Sequence, residues 1–288
     1  MTSGTKGALV AACTVVALAA LAPRAGLRAM GVDFAAPPLD LGLTDRMTQG
    51  GWARGTAPAN VTRLTLAGQP VTISPDRRVF LAFDRDAPAS VPLVATLRDG
   101  RQVATSLAVV PRAWPLEHIP LGPKPGTPPN EAYRLRREGE VAQINAARAT
   151  DHAVDGWRQQ FIWPVTGRIS GRFGSQRIYN GVPGAYHSGL DIARPAGTPF
   201  TAPADGIVIL AAQSPFSLEG NLLMIDHGAG LNSAFLHASR LAVKVGDHVR
   251  QGQVIGYVGR TGRATGPHLH WSIKWRDARL DPLLFVEG

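Results

Sequence analysis

The 288 residues are 44% hydrophobic and 18% charged, a globular balance that excludes a disordered tail and leaves room for two modest domains or one large one. The formal charge is +9, but the arginines are scattered and form no dense basic run, so no nucleic-acid partner is expected. An anionic envelope surface or simple solubility accounts for the charge equally well.

Residues 1–29 read as a signal peptide. Lys6 precedes the apolar run Ala8 to Ala22, which Pro23 and Arg24 end, and cleavage is expected near Ala25 to Ala29. The run, roughly fifteen residues, falls short of the about 20 that span a bilayer. Export to the periplasm or cell envelope follows as an expectation. The single cysteine, Cys13, lies inside this run, so any metal site in the exported protein must use His, Asp or Glu.

Residues 30–58, rich in Gly, Pro and Ala, have no sustained period and read as an extended lead-in. Between 59 and 114 come strand-like runs, Leu64 to Leu66, Val79 to Phe83, Val91 to Leu97 and Leu107 to Val110, which predict a small antiparallel β-domain. It holds no cluster of His, Asp or Glu, so its expected role is positioning, partner binding or restraint. Residues 115–159 combine a linker, with six prolines and two glycines over 115 to 130, and a helix from Asn130 to about Ala149 with Asn130 as N-cap. Its thin apolar stripe and Gly139 predict a connector lying on a surface. From 160 to 288 strand runs return at 206 to 211, 221 to 226 and 253 to 258, joined by glycine-rich turns, so the chain as a whole is mainly β with an antiparallel C-terminal domain. Residues 245 to 253 resemble the barrel-sandwich half of lipoyl and biotinyl carriers. The attachment lysine of such carriers has no counterpart here, the nearest being Lys274.

His268-Leu269-His270 carries the strongest chemical signal. Leu269, Trp271 and Ile273 alternate with His268, His270 and Ser272, which predicts a strand with both histidines on its polar face. An isolated H-x-H is as often an ordinary strand pair. Upstream, Tyr186-His187-Ser188-Gly189-Leu190-Asp191 adds an imidazole and a carboxylate, on a loop running into a short strand because Gly189, Gly184 and Pro183 disfavour a helix. His187, Asp191 and one histidine of the later pair suffice for a catalytic zinc site, which takes three protein ligands and leaves a position for water. His237 is a third candidate. His227 and His248 near turns read as structural or solvated, His118 and His152 fall outside the domain, and Asp226 reads as a turn residue or an orienter of a ligand histidine.

Five blocks in order, G-R-F-G-S-Q-R at 171 to 177, H-S-G-L-D at 187 to 191, G-T-P-F-T-A-P-A-D-G at 197 to 206, G-N-L-L-M-I-D-H-G at 220 to 228 and G-R-T-G-R-A-T-G-P-H-L-H at 259 to 270, carry a family likeness. Residues 160 to 286 resemble the lysostaphin-type, LytM-like zinc metallopeptidases, in a barrel-sandwich-like β-sheet domain. The resemblance implies Zn2+ held by His187, Asp191 and His270, with His237 and His268 in the cleft without being principal ligands. A proton acceptor must lie within reach of the metal-bound water, which makes these two the candidates for base and oxyanion support, in either order. It implies an endopeptidase that hydrolyses amide bonds in peptidoglycan cross-linking peptides. The pattern departs at Phe235, where tyrosine is frequent, and at Ala238, where leucine is frequent, and loss of the Phe235 hydroxyl is expected to lower the rate modestly. The alternative is a noncatalytic LytM-like envelope regulator that activates cell-wall amidases. Such relatives usually lack some metal residues, and here all five positions are filled. Residues 175 to 186 form a Gly/Pro-bearing loop adjoining His187.

Overall fold

The computed structural model describes residues 32–33, 39–45, 47–119, 130–212 and 214–286. The segment read as a signal peptide and residues 120–129 of the linker lie outside the described residues.

The N-terminal half is built from β1 (Trp52–Thr56), β2 (Val61–Leu66), β3 (Gln69–Val71), β4 (Arg78–Ala82), β5 (Ser90–Leu97) and β6 (Gln102–Ala108). One sheet runs Val32–Asp33, β6, β5, β2, β3, and a second joins Thr44–Asp45, β1 and β4. In β5 the side chains of Val91, Leu93, Ala95 and Leu97 turn inward at every second position, the period that a half-buried strand requires. β1 begins inside the stretch read as lead-in. Its sequence, W-A-R-G-T, has no alternation, yet Trp52 and Ala53 are buried, so tertiary packing makes the strand.

The two halves share one core. Trp52 stacks on Phe80 at 5.8 Å and meets Phe285, from the short C-terminal helix, at 5.3 Å, while Phe161 lies 5.1 Å from Phe285. Arg54 donates to the carbonyls of Trp157 and Gln159, both at 2.9 Å. The small β-domain is therefore docked on the C-terminal half through a common aromatic cluster. Phe285→Ala is expected to cost about 3–5 kcal/mol. Chemical denaturation should show a single transition shifted for both halves together; loss confined to one half would contradict the shared core.

The linker region contains β7 (Leu116–Ile119), which pairs in parallel with β9 (Gln176–Tyr179). β9 in turn pairs with β10 (Val182–Tyr186) through Asn180-Gly181, whose φ values of 47° and 83° make the turn that favours two-residue hairpins. The stretch 175 to 186 is thus a hairpin with an added strand, where the sequence reading expected a loop preceded by a linker.

α1 (Glu131–Arg148) starts as expected, with Asn130 Oδ1 accepting from the Tyr133 amide at 2.8 Å. It is more than a connector. Ile144 and Ala147 pack on Leu222, Met224 and Ala234 of the large sheet. Ionic contacts supplement that thin stripe. Buried Glu140 accepts from the Ser217 amide at 2.7 Å, and Arg137 forks onto Glu219 at 2.6 and 2.8 Å.

The large C-terminal sheet is antiparallel and runs β8 (Arg168–Gly171), β11 (Leu190–Ala193), β18 (His268–Trp275), β15 (Leu231–Ala238), β14 (Asn221–Asp226), β13 (Gly206–Ala211) and β16 (His248–Val249). β19 (Ala278–Leu280) pairs with β18 off this path. A smaller sheet joins β12 (Pro199–Thr201), β17 (Val254–Tyr257) and Arg240–Leu241. Leu190, Ile192, Phe235, Leu269, Trp271 and Ile273 fill one face of the large sheet, and α1 covers part of the other. The uncovered part of that second face carries the site.

Candidate active site

Cross-strand register brings the predicted residues together. Asp191 in β11 pairs directly with His270 in β18, and Leu236 in β15 pairs with His270 from the other side. His187 follows β10 and enters the same cluster from its rim. His187 Nε2 lies 3.1 Å and His270 Nδ1 2.8 Å from Asp191 Oδ1, with 3.2 Å between the two nitrogens. His268 Nε2 stands further off, 3.7 Å from the same oxygen. One donor atom each from His187, Asp191 and His270 falls within 4.8 Å of the others.

Two glycines leave the space for this convergence. A Cβ at Gly171 would meet Asp191 Oδ2 at 2.5 Å, and one at Gly189 would meet His270 Nε2 at 2.5 Å and the Trp271 carbonyl at 2.6 Å.

Backbone carbonyls orient the imidazoles. Nδ1 of His187 lies 3.1 Å from the Arg172 carbonyl, Nδ1 of His268 2.8 Å from that of Gly266, and Nδ1 of His237 2.8 Å from that of Thr261. A carbonyl only accepts, so each Nδ1 carries a proton; in the neutral ring Nε2 then presents a lone pair, and only the protonated ring donates from it. These three carbonyls escaped the sequence reading, since a backbone partner leaves no mark on residue type. His237 has φ of 65°, a left-handed conformation that interrupts the strand alternation at the end of β15. Without that interruption His237 would follow Phe235 into the core. Instead its ring lies 4.8 Å from that of His268.

Burial works against ionising Asp191, but hydrogen bonds from His187 and His270 outweigh it and hold the carboxyl well below the usual carboxylate range. Burial likewise lowers His187, and the Asp191 carboxylate more than reverses this, leaving it raised. His270 is lowered, chiefly by burial. Burial pushes His237 down to about 4, so it is neutral near pH 7.

The profile of Peptidase family M23 matches residues 185–282, which contain all five site residues. A 107-residue stretch, 37% of the chain, is 41% identical to the peptidoglycan DD-endopeptidase ShyA of Vibrio cholerae. A 149-residue stretch is 31% identical to the cell division protein DipM of Caulobacter vibrioides, over 52% of the chain. The matched parts span only 24% of ShyA and 23% of DipM, about a quarter of each protein. A solved structure of a peptidase M23 from Pseudomonas aeruginosa aligns over 84% of the chain and 96% of its own length, at 31% identity and a TM-score of 0.65. The chain belongs to peptidase family M23.

In this M23 peptidase the donor set fits a divalent metal. Two imidazoles and one carboxylate converge, in a chain whose single cysteine lies at position 13, far from the 187–270 stretch that carries the site. A cavity of about 770 Å³ opens onto His187 and Asp191, bounded by Glu117 on β7, Arg177 and Tyr186 on the hairpin, and Arg263 opposite. The hairpin therefore flanks the site as a wall of the cleft.

Phe235 requires a correction. It is fully buried on the sheet face opposite His270 and stacks on Phe200 at 5.6 Å, so a hydroxyl there would not reach the cleft. Phe235→Tyr in the M23 peptidase is expected to destabilise by about 1–3 kcal/mol, because the hydroxyl is buried without a planned partner. A faster enzyme with unchanged melting temperature would contradict that placement.

The remaining histidines take other positions. His227 is fully buried, donating from Nδ1 to the Asp205 carbonyl at 2.8 Å and accepting at Nε2 from Ser233 Oγ at 2.9 Å. Asp226 binds the Gly228 amide at 2.9 Å and His152 Nδ1 at 2.9 Å, which makes it a turn residue rather than an orienter of a ligand histidine. His118 and His248 are exposed. Burial pushes His227 down to about 4, so between the ordinary histidine value of 6.5 and about 4 the unfolded chain binds the proton the folded one refuses. Stability is therefore complete above pH 6.5 and falls as pH drops through that window, with His227 contributing on the order of 3 kcal/mol. The melting temperature of wild type should fall more steeply than that of His227→Gln across that window; an identical slope in both would contradict this origin.

Proposed function

We propose that this M23 peptidase is an exported zinc metalloendopeptidase that hydrolyses amide bonds in the cross-linking peptides of peptidoglycan. The observation that carries the reading is the convergence of His187, Asp191 and His270 with two further histidines beside them. Zinc bound by two neutral imidazoles and one carboxylate keeps positive charge, polarises a scissile carbonyl and lowers the pKa of water towards about 7.

The chain supplies the rest of the chemistry. His187 and His270 present neutral nitrogens to the metal and Asp191 its negative charge. His237 and His268, their Nδ1 protons fixed on carbonyls, stand beside the donor cluster and can each accept a proton at Nε2. Once protonated at Nε2, the same ring donates a hydrogen bond to a developing oxyanion or leaving amine. An amidase-activating regulator needs no intact metal set, and all five positions are filled here.

Incubation of the purified protein with murein tests the reading. Mass spectrometry should find peptides with newly freed amino groups, their release stopped by a chelator and restored by zinc. No release from zinc-loaded protein would overturn it, and a His187→Ala variant with full cellular function would favour the regulator. Export is tested by sequencing the N-terminus of the cell-derived protein, with a start between residues 25 and 30 expected.

A further inference from the structure

A second pocket, of about 300 Å³, lies beside the candidate metal centre on the same face of the large sheet. His270, Ser272 and Lys274 form one row along its floor, since alternate residues of β18 share a face. α1 forms its wall. Four cations, Arg137, Arg148, Lys274 and Arg279, line it against the single carboxylate of Glu219. That carboxylate is already gripped by both prongs of Arg137.

The other three cations are arranged against their own repulsion. Lys274 and Arg279 are direct cross-strand partners on β18 and β19, and like charges in that position destabilise a sheet. Arg148 approaches them from the last turn of α1. The helix dipole favours a cation there, but this does not explain its being set against two more. Its Nε is buried without a hydrogen-bond partner, and neither Arg148 nor Lys274 has an ion pair among the described residues. Burial lowers both groups first; Arg279 then lowers Arg148 against the pull of Glu219, and Arg148 and Arg279 lower Lys274, although Asp277 and Asp84 act on it in the opposite sense. Tyr186 Oη stands 3.5 Å from Arg279 and adds no charge.

We infer that this pocket is a carboxylate-binding subsite, docking a free carboxylate of an acidic peptide substrate while the scissile amide lies at His187, Asp191 and His270. Lys274 stands four residues along β18 from His270, about 13 Å at strand rise, a span of roughly four residues of extended peptide. The inference rests on the endopeptidase reading and adds to it a preference: the substrate stretch over β18 carries free carboxylates, and their amidation removes the charge that the cations require.

The test compares a cross-linked stem peptide bearing free carboxylates with the same peptide carrying primary amides, using the full zinc-loaded chain. Wild type should cleave the free acid with at least a ~10-fold higher kcat/KM, expressed mainly in KM. Lys274→Gln and Arg279→Gln should each lower the free-acid value towards that of the amide. Each should also raise the melting temperature without ligand, because a repelling charge is gone, a result that a merely structural pair would not give. Equal kcat/KM for the two peptides, or a preference that survives in both variants, would overturn the inference. If neither peptide is cleaved, the endopeptidase reading falls and calorimetry decides the pocket: tighter binding of the free acid, lost in Lys274→Gln, upholds it, and equal binding overturns it.

Discussion

Asp191→Asn is expected to lower zinc affinity by at least ~100-fold and to reduce kcat/KM on murein peptides by about 10³-fold or more. The change keeps the side chain's size but removes the only negative charge among the three converging donors. His187 Nε2 and His270 Nδ1, 3.2 Å apart, then lack the carboxylate oxygen that both approach. Binding two imidazoles alone gives a weaker and less defined site. Zinc content after dialysis, read beside circular dichroism to show that the fold persists, checks this. A variant that keeps one tightly held zinc and near-normal turnover would mean that Asp191 is no ligand.

His237→Ala should separate from Asp191→Asn in the same assays. Its ring has a lone pair at Nε2, stays neutral down to about pH 4 and lies beside His268, outside the converging donors. Loss of a general base costs about 10²–10⁴-fold in kcat. Zinc content should remain that of wild type and KM should move little. Loss of zinc in His237→Ala would instead place this histidine among the ligands. Alanine retains the strain of a left-handed residue at this position, so a His237→Gly control distinguishes backbone from imidazole: both should lose turnover equally.

The strands of the C-terminal half were legible because their apolar runs are long and begin at or just after a glycine, as at 206–211 and 221–226. The α1 N-terminus was legible from Asn130 for the same local reason. What escaped the sequence depended on distant partners. β1 exists because Trp52 is buried against Phe80 and Phe285, and β7 because its backbone pairs with β9 some sixty residues later. Asn180-Gly181 is a readable turn signal inside a stretch whose composition reads as a loop. Within the site, residue types pointed to His187, Asp191 and a later histidine. Spacing alone left His268 and His270 equivalent; the family likeness singled out His270, and the register sets that residue opposite Asp191. The core position of Phe235 needed the bulge that turns His237 out of alternation. The cationic pocket left no motif, because Arg148, Lys274 and Arg279 meet only when α1 lies across the sheet.

Anomalous scattering at the zinc edge from crystals of the zinc-loaded protein tests the central claim most directly. The account predicts one peak in the cleft, bonded at about 2.0–2.2 Å to His187 Nε2, Asp191 Oδ1 and His270 Nδ1, with His237 and His268 unbonded beside it. A peak coordinated by His237 or His268 in place of any of those three, or no peak in the cleft, would contradict it.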